Sequence, residues 1–226
     1  MRFFFLSFIL ISSIVRAEGM PQNDQEFMRY MQAKAEQAQR EDEIKNPKKP
    51  EMGKDRAVLG DRNAKIKLFV YSDFQCPYCK RGYETVEELK KKYGKKLVVT
   101  FKHLPLPFHP MAMPAAKRFE AIALQSPKKA YAFHDEVFKN QERIAGGEAF
   151  LDEMVKKVGA NLDKVKKDME SPVVQRNIAS DQEEAQKFGI QGTPGFVIAG
   201  VTIKGAYPVE AFEEILQKRF GNSEAK

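Results

Sequence analysis

The chain has 226 residues, with 38 lysines and arginines against 31 aspartates and glutamates, and a net charge of +7 at pH 7. Its basic residues alternate with acidic ones, as in residues 80–96, which is typical of solvated helix faces and argues against a nucleic-acid partner. Apart from one run near the start, no apolar stretch approaches the roughly 20 residues that cross a bilayer.

The first 17 residues have the pattern of a secretory signal peptide. Arg2 provides a positive start, an apolar run of about 13 residues follows, and small residues end at Ala17. The run is shorter than the roughly 20 residues of a membrane span, so we favour a cleaved signal over an uncleaved anchor. The mature protein is then expected in the periplasm or outside the cell.

Residues 18–46 are predicted to form an N-terminal helical extension. Residues 21–45 consist mainly of good helix formers and contain no internal glycine or proline. Prolines and a glycine follow in residues 46–55, and they break the helix. We therefore expect a linker over residues 47–57.

The globular domain is expected over residues 58–220, with a short tail at residues 221–226. It begins with a strand–helix–strand pattern, because residues 65–71 and 97–101 are short, apolar and rich in strand formers. Residues 77–93 between them have helical spacing. A connection of this length predicts that the two strands are parallel.

The second half of the domain is predicted to be an insertion of helices followed by a hairpin. Residues 112–188 have helical periodicity, within an insertion of about residues 111–189. Two short strands then flank Gly200, and a final amphipathic helix covers residues 210–220. The order β-α-β, helical block, β-β-α predicts an α/β fold whose mixed sheet is covered on one side by the block.

The chain contains two cysteines, Cys76 and Cys79, which lie at the predicted strand-to-helix turn. A bridge between them would close a very small loop and contribute little to stability, so its value would be chemical. Cys76 would lie at the helix N-terminus, where backbone N–H groups favour a thiolate, and Pro77 suits the first helical position. This arrangement lowers a cysteine pKa from about 8.5 to between about 3.5 and 7.5.

Three separated motifs resemble the DsbA-like branch of the thioredoxin superfamily. They read LFVYSDFQCPYC, FKHLPLPFHPMAMPAA and FGIQGTPGF, and the resemblance covers about residues 58–220. In the third motif we predict that the Thr193–Pro194 bond is cis and lies within contact distance of Cys76.

The resemblance implies a thioredoxin fold with a helical insertion and an exported thiol–disulfide oxidoreductase that introduces or rearranges disulfides. It implies that Cys76 is the nucleophile and Cys79 the resolving thiol, that Pro77 and Tyr78 tune the redox pair, and that Thr193 and Pro194 bind substrate. Partners would be unfolded or misfolded secreted proteins with cysteines and a membrane redox protein that recycles the site. We expect no cofactor and no metal.

The sequence departs from relatives at Val70, where many carry a buried acid that accepts a proton. Proton transfer would then use water or another side chain, with Asp73 a weak candidate. An N-terminal helix joins subunits in some relatives, so oligomerisation through residues 21–45 is possible. Its apolar stripe is short, and we expect a monomer or a weak oligomer.

Alternatives remain in which the two thiols are ligands, in a periplasmic chaperone or a copper(I)-handling protein. Zinc requires four ligands, and the three histidines do not show the expected spacing. We interpret His103 and His109 as structural or surface residues, and His134 as a packed or exposed helix residue. The sequence leaves the redox direction open.

Overall fold

The computed structural model describes residues 23–221. The chain divides into two compact units at residues 39 and 40. The predicted signal peptide, residues 1–17, lies outside the described residues. Within residues 23–221, no helix combines the length and apolar character that a membrane crossing requires.

Four strands and eight α-helices build the described part of the chain, together with two 3-10 turns at Gly94–Lys96 and Gln141–Gly146. The strands are β1 (Ile66–Ser72), β2 (Leu97–His103), β3 (Gly195–Ile198) and β4 (Val201–Lys204). The helices are α1 (Asp24–Lys45), α2 (Pro77–Tyr93), α3 (Ala112–Ala123), α4 (Pro127–Lys139), α5 (Gly147–Lys157), α6 (Leu162–Asp168), α7 (Pro172–Lys187) and α8 (Val209–Phe220).

The strands form one mixed sheet in the order β2-β1-β3-β4. β1 and β2 are parallel, whereas β3 is antiparallel to both of its neighbours. This confirms the predicted β-α-β and β-β-α units with a helical insertion of α3 to α7 between them. The last strand pair turns at Ala199 and Gly200, both of which have positive φ.

Alternating residues of β1 pack on opposite faces of the sheet, as expected for strand geometry. Leu68 and Val70 pack in a core that includes residues of α2 and α8. Phe69 and Tyr71 pack on the other face with Ala185 of α7. The insertion helices form a further core of their own, which also contains Phe74 and both cysteines. The turn between β1 and α2 is therefore anchored in the inserted helices.

A buried network of charged groups joins β2 to α3 and α7. Asp181 of α7 is fully buried and accepts hydrogen bonds from Arg56 at 2.6 and 3.1 Å. Lys102 Nζ of β2 lies 3.1 Å from the same carboxylate. Glu120 of α3 forms an ion pair with Arg56 at 3.1 Å and lies 3.0 Å from His103 Nε2. The two carboxylates thus balance the positive charges of Arg56 and Lys102.

Candidate active site

Cys76 ends the loop after β1 and occupies the position just before α2. Its backbone is extended, with φ −71° and ψ 122°, and Pro77 begins the helix as predicted. The Cys76 N–H donates to the Asp73 carbonyl at 3.2 Å, and the Cys79 N–H donates to the Cys76 carbonyl at 3.0 Å. The two sulfurs are not bridged, so the structure shows the dithiol form.

The surroundings of Cys76 stabilise a thiolate. A hydrogen bond from the Cys79 thiol is the largest influence and lowers the pKa of Cys76 to about 5, although partial burial acts in the opposite direction. The backbone N–H groups of Tyr78 and Cys79, in the first turn of α2, lower this pKa further. Cys76 is therefore largely ionised at neutral pH.

Cys79 has the opposite character. It is 2 % exposed, and burial raises its pKa well above the ordinary value for a thiol. The neighbouring Cys76 sulfur raises this pKa further, while the Asp73 N–H donates to the Cys79 sulfur at 3.4 Å. The pair thus combines a Cys76 thiolate that can attack a disulfide with a Cys79 thiol that stays protonated until the resolving step.

The loop before β3 lies against the Cys76 sulfur. The Thr193–Pro194 bond is cis, as predicted. The Cys76 sulfur lies 3.5 Å from the Thr193 carbonyl oxygen. Gly82 of α2 makes this approach possible, because a Cβ there would lie 2.9 Å from Phe196 and 3.2 Å from Pro194.

Gln141, which no sequence motif indicates, holds the loop before Cys76 in place. Gln141 is buried, and its amide donates to the carbonyls of Phe74 at 2.8 Å and Cys76 at 2.9 Å. Gln141 belongs to the 3-10 turn after α4, so the insertion directly supports the reactive loop. The sequence contained no signal for this contact, since a buried glutamine has no characteristic spacing.

Asp73 holds the loop between β2 and α3 against the turn that precedes Cys76. Its carboxylate accepts from the Gln75 N–H at 2.7 Å, from the Leu106 N–H at 2.9 Å and from His109 Nδ1 at 2.8 Å. Phe108 precedes His109 in this loop and is 71 % exposed, while Tyr78 between the cysteines is 59 % exposed. Tyr78 of α2 and Phe108 of the loop before α3 therefore expose aromatic rings to solvent.

The three predicted histidines occupy different environments. His103 is buried beside Glu120, whereas His109 is half-buried beside Asp73. His134 is packed among aromatic rings of the insertion. Within residues 23–221, no cluster of three histidine, cysteine or acidic side chains has the arrangement of a metal site.

A family model described as Thioredoxin matches residues 52–218 of the sequence. The chain belongs to the thioredoxin family. The match includes both cysteines and the cis-proline loop, so this is a thioredoxin-like oxidoreductase with a Cys-x-x-Cys pair. The resemblance stated from the three sequence motifs is thereby confirmed.

Curated relatives of this thioredoxin-family chain include much longer proteins. The chain is 27 % identical to the Na(+)/H(+) antiporter NhaA 1 of Mycolicibacterium vanbaalenii over 163 residues. The matched region covers 71 % of this chain and 26 % of that protein. The chain thus spans about a quarter of the length of the curated relatives it matches.

Solved structures with the same fold cover most of the chain. Oxidised BdbD from Bacillus subtilis superimposes with a TM-score of 0.66 at 21 % identity, over 76 % of this chain and 97 % of that one. The thiol-disulfide exchange protein alpha-DsbA2 from Wolbachia pipientis gives 0.63 at 18 % identity, over 83 % and 95 %. A periplasmic thioredoxin-like protein from Salmonella enterica serovar Typhimurium gives 0.61 at 23 % identity, over 73 % and 90 %. The fold is therefore DsbA-like.

The lowered pKa of Cys76 predicts its reaction with iodoacetamide. In the reduced protein, the alkylation rate should rise with pH around a midpoint of about 5, because the thiolate is the reacting species. A Cys76→Ser variant, which keeps the buried Cys79, should react slowly at neutral pH. A midpoint near the ordinary value of about 8.5, or faster labelling of Cys79, would contradict the assignment.

Proposed function

We propose that the protein is an exported thiol–disulfide oxidoreductase that exchanges disulfides with protein substrates through Cys76 and Cys79. The observation that carries this proposal is the different placement of the two thiols: Cys76 lies at the N-terminus of α2 against the loop with the cis bond before Pro194, whereas Cys79 is buried one turn into the helix. The pKa of Cys76 is accordingly lowered and that of Cys79 raised. Disulfide exchange requires one thiolate to attack and a second thiol that resolves the mixed disulfide.

In the reducing direction, the Cys76 thiolate attacks a substrate disulfide and forms a mixed disulfide, and one substrate sulfur leaves as a thiolate. Cys79 then loses its proton and attacks the Cys76 sulfur. A Cys76–Cys79 disulfide forms, and the second substrate sulfur leaves. In the reverse direction the same steps oxidise two substrate thiols. Rearrangement follows when a released substrate thiolate attacks a different substrate disulfide.

The substrates we propose are unfolded or misfolded secreted proteins that contain cysteines. Exposed Tyr78, between the cysteines, and exposed Phe108, in the loop before α3, support this, because they offer apolar surface for an unfolded chain. We propose that Thr193 and Pro194 bind the substrate chain and that Pro77 and Tyr78 tune the redox pair. A membrane protein would recycle the site. The signal-like residues 1–17 and the periplasmic thioredoxin-like structure from Salmonella support an extracytoplasmic location.

We propose that the reduction potential of the Cys76–Cys79 pair lies toward the oxidising end of the range found in the thioredoxin family. A Cys76 thiolate that is stabilised at neutral pH favours the reduced form of the protein, and this raises the reduction potential. The test is the potential of the Cys76–Cys79 pair, measured together with oxidation of a reduced protein and reactivation of scrambled ribonuclease. A value near −120 mV would indicate an oxidase, and a value near −270 mV a reductant. Tight copper(I) binding without exchange activity would overturn the proposal.

We propose that the protein acts as a monomer or a weak oligomer. On α1, the side chains of Phe27, Tyr30 and Met31 are exposed by 42–49 % and each could contribute only about 1–3 kcal/mol on burial. Sedimentation of the full-length protein at micromolar concentration should show a monomer. A stable dimer or trimer that Met31→Glu dissociates, while Lys34→Glu does not, would contradict this expectation.

A further inference from the structure

The proton of Cys79 must leave before this residue can resolve a mixed disulfide. Cys79 is buried, so bulk water does not reach its sulfur directly. The neighbouring strand position, Val70, has an aliphatic side chain that cannot accept a proton. The Asp73 carboxylate, the weak candidate from the sequence, already accepts hydrogen bonds from Gln75, Leu106 and His109, so the resolving step still requires another base.

A cavity lies beside Cys79, between α2 and α4. Its volume is about 20 Å³, and space of about 10–15 Å³ is sufficient to hold one water molecule. Cys79, Val70 and Ser72 line the cavity together with His134 and Asp135 of α4. The cavity thus connects the buried thiol with polar groups of the insertion.

His134 is held as a neutral imidazole with a defined orientation. Its Nδ1 lies 3.0 Å from Asp135 Oδ1. Burial lowers the pKa of His134 below its ordinary value, although Asp135 acts in the opposite direction. Burial alone would raise the pKa of Asp135, but the hydrogen bond from His134 holds it below its ordinary value. The carboxylate therefore accepts the Nδ1 proton, and Nε2 becomes the acceptor nitrogen of the ring.

We propose that His134, oriented by Asp135, accepts the proton of the Cys79 thiol through water in this cavity when Cys79 attacks the mixed disulfide. This inference rests on the proposed function and identifies a proton acceptor for its second step. His134 is the general base, and Asp135 is a positioning residue, which fixes the tautomer and the ring orientation.

Resolution of the mixed disulfide breaks two bonds and forms two. The Cys79 S–H bond breaks, and the proton passes through water to His134 Nε2, which becomes an imidazolium beside the Asp135 carboxylate. The Cys79 sulfur forms a bond with the Cys76 sulfur. The bond between Cys76 and the substrate breaks, and the substrate sulfur leaves with the electron pair. The imidazolium then returns its proton to solvent, since Asp135 is only half-buried.

Other titratable groups surround His134 on both helices. Tyr83 and Glu87 of α2 and Tyr131 of α4 also line the cavity. Lys90 pairs with Glu87 at 2.5 Å and acts electrostatically to lower the pKa of His134. Burial raises the pKa of both tyrosines, so neither is a base at neutral pH. Glu87 is the competing acceptor that the experiment must separate from His134.

The test uses reduced full-length protein and an aromatic disulfide, dithiobis-nitrobenzoate, whose thiol product absorbs visible light. The first equivalent of product reports attack by Cys76, and the second reports resolution by Cys79. His134→Phe keeps an aromatic ring in the cavity wall but removes the base. It should slow the second phase roughly 100-fold and leave the first phase unchanged, because a general base contributes about 10²- to 10⁴-fold.

The pH dependence separates a base from a structural role. In the wild-type protein the second phase should be nearly constant from neutral to mildly alkaline pH, since His134 is already neutral there. In His134→Phe it should rise about tenfold per pH unit, because only directly ionised Cys79 then reacts. Asp135→Asn should slow the second phase less, and Glu136→Gln, which removes a neighbouring carboxylate that pairs with Lys157, should change neither phase.

The outcomes distinguish this inference from the proposed function. Absence of the first phase in the wild-type protein would refute the disulfide-exchange proposal itself. A normal first phase with a second phase that is insensitive to His134→Phe and Asp135→Asn would refute only the proton acceptor. A slower second phase in Glu87→Gln instead would identify Glu87 as the proton acceptor. If His134→Phe does not fold, Asp135→Asn and its pH profile decide.

Discussion

Replacing Cys76 with serine should reduce disulfide exchange to the uncatalysed level. A serine hydroxyl is not ionised at neutral pH, so the attacking thiolate disappears while the size of the side chain is nearly kept. Turnover of a protein disulfide by the variant should match a protein-free control. Measurable exchange through Cys79 alone would contradict the assignment, because Cys79 is buried and its pKa is raised.

Replacing Cys79 should instead trap the protein on its substrates. Without the resolving thiol, the mixed disulfide between Cys76 and a substrate persists and should appear on a non-reducing gel. Cys79→Ser and Cys79→Ala should differ, because the hydrogen bond from residue 79 is the largest influence that lowers the pKa of Cys76. A serine hydroxyl can still donate this bond, whereas alanine cannot.

The matched pair of variants therefore tests the electrostatic argument as well as the order of attack. Cys79→Ser should keep an alkylation midpoint near that of the wild-type protein. In Cys79→Ala the midpoint should move upward toward the ordinary thiol value. Equal midpoints in both variants would show that the first turn of α2, rather than Cys79, stabilises the Cys76 thiolate.

The local features of the site could be predicted from the sequence because each depends on neighbouring residues. Pro77 at the first position of α2 places Cys76 at the helix N-terminus, and both features are read from four consecutive residues. The strands β1 and β2 are recognisable as apolar runs separated by one helix. The cis bond before Pro194 was indicated by its glycine-rich context and by family resemblance.

The long-range contacts and the cavity depend on how the inserted helices pack against the sheet and α2. Local sequence patterns do not indicate this packing. Gln141 contacts the Cys76 carbonyl across 65 positions of sequence, and Arg56 contacts Asp181 across 125. The cavity beside Cys79 exists because α4 lies against α2, so His134 appeared from the sequence to be an ordinary helix residue. These roles follow from tertiary contacts rather than from spacing.

Replacing Asp181 with asparagine should strongly destabilise the fold. The carboxylate accepts two hydrogen bonds from Arg56 and lies 3.1 Å from Lys102 Nζ, and all three side chains are largely buried. Asparagine nearly preserves the volume but leaves two buried cations without this negative charge. Removal of one partner from a buried ion pair costs about 3–5 kcal/mol, which is a large part of the roughly 5–15 kcal/mol that stabilise a typical domain.

Urea unfolding of Asp181→Asn should therefore show a clearly lower midpoint than that of the wild-type protein. The matched control is Glu153→Gln, which removes the partner of Arg143 from an ion pair in which both side chains are about half exposed. Solvent screens such a pair, so its loss should hardly move the midpoint. Equal midpoints for Asp181→Asn and Glu153→Gln would mean that the buried network contributes no net stability.

The same network should also make the protein sensitive to acid. Burial alone would raise the pKa of Glu120, but the hydrogen bond with His103 and the charge of Arg56 hold it at about 2, below its ordinary value of 4.5. Because the pKa is lower in the folded state, this stabilisation is complete above pH 4.5 and is lost as the pH falls toward 2. Glu120→Gln should remove this part of the pH dependence, so the unfolding midpoints of the variant and the wild-type protein should converge as the solution is acidified across that interval. Midpoints that stay equally far apart at every pH would show that the Glu120 charge does not stabilise the fold.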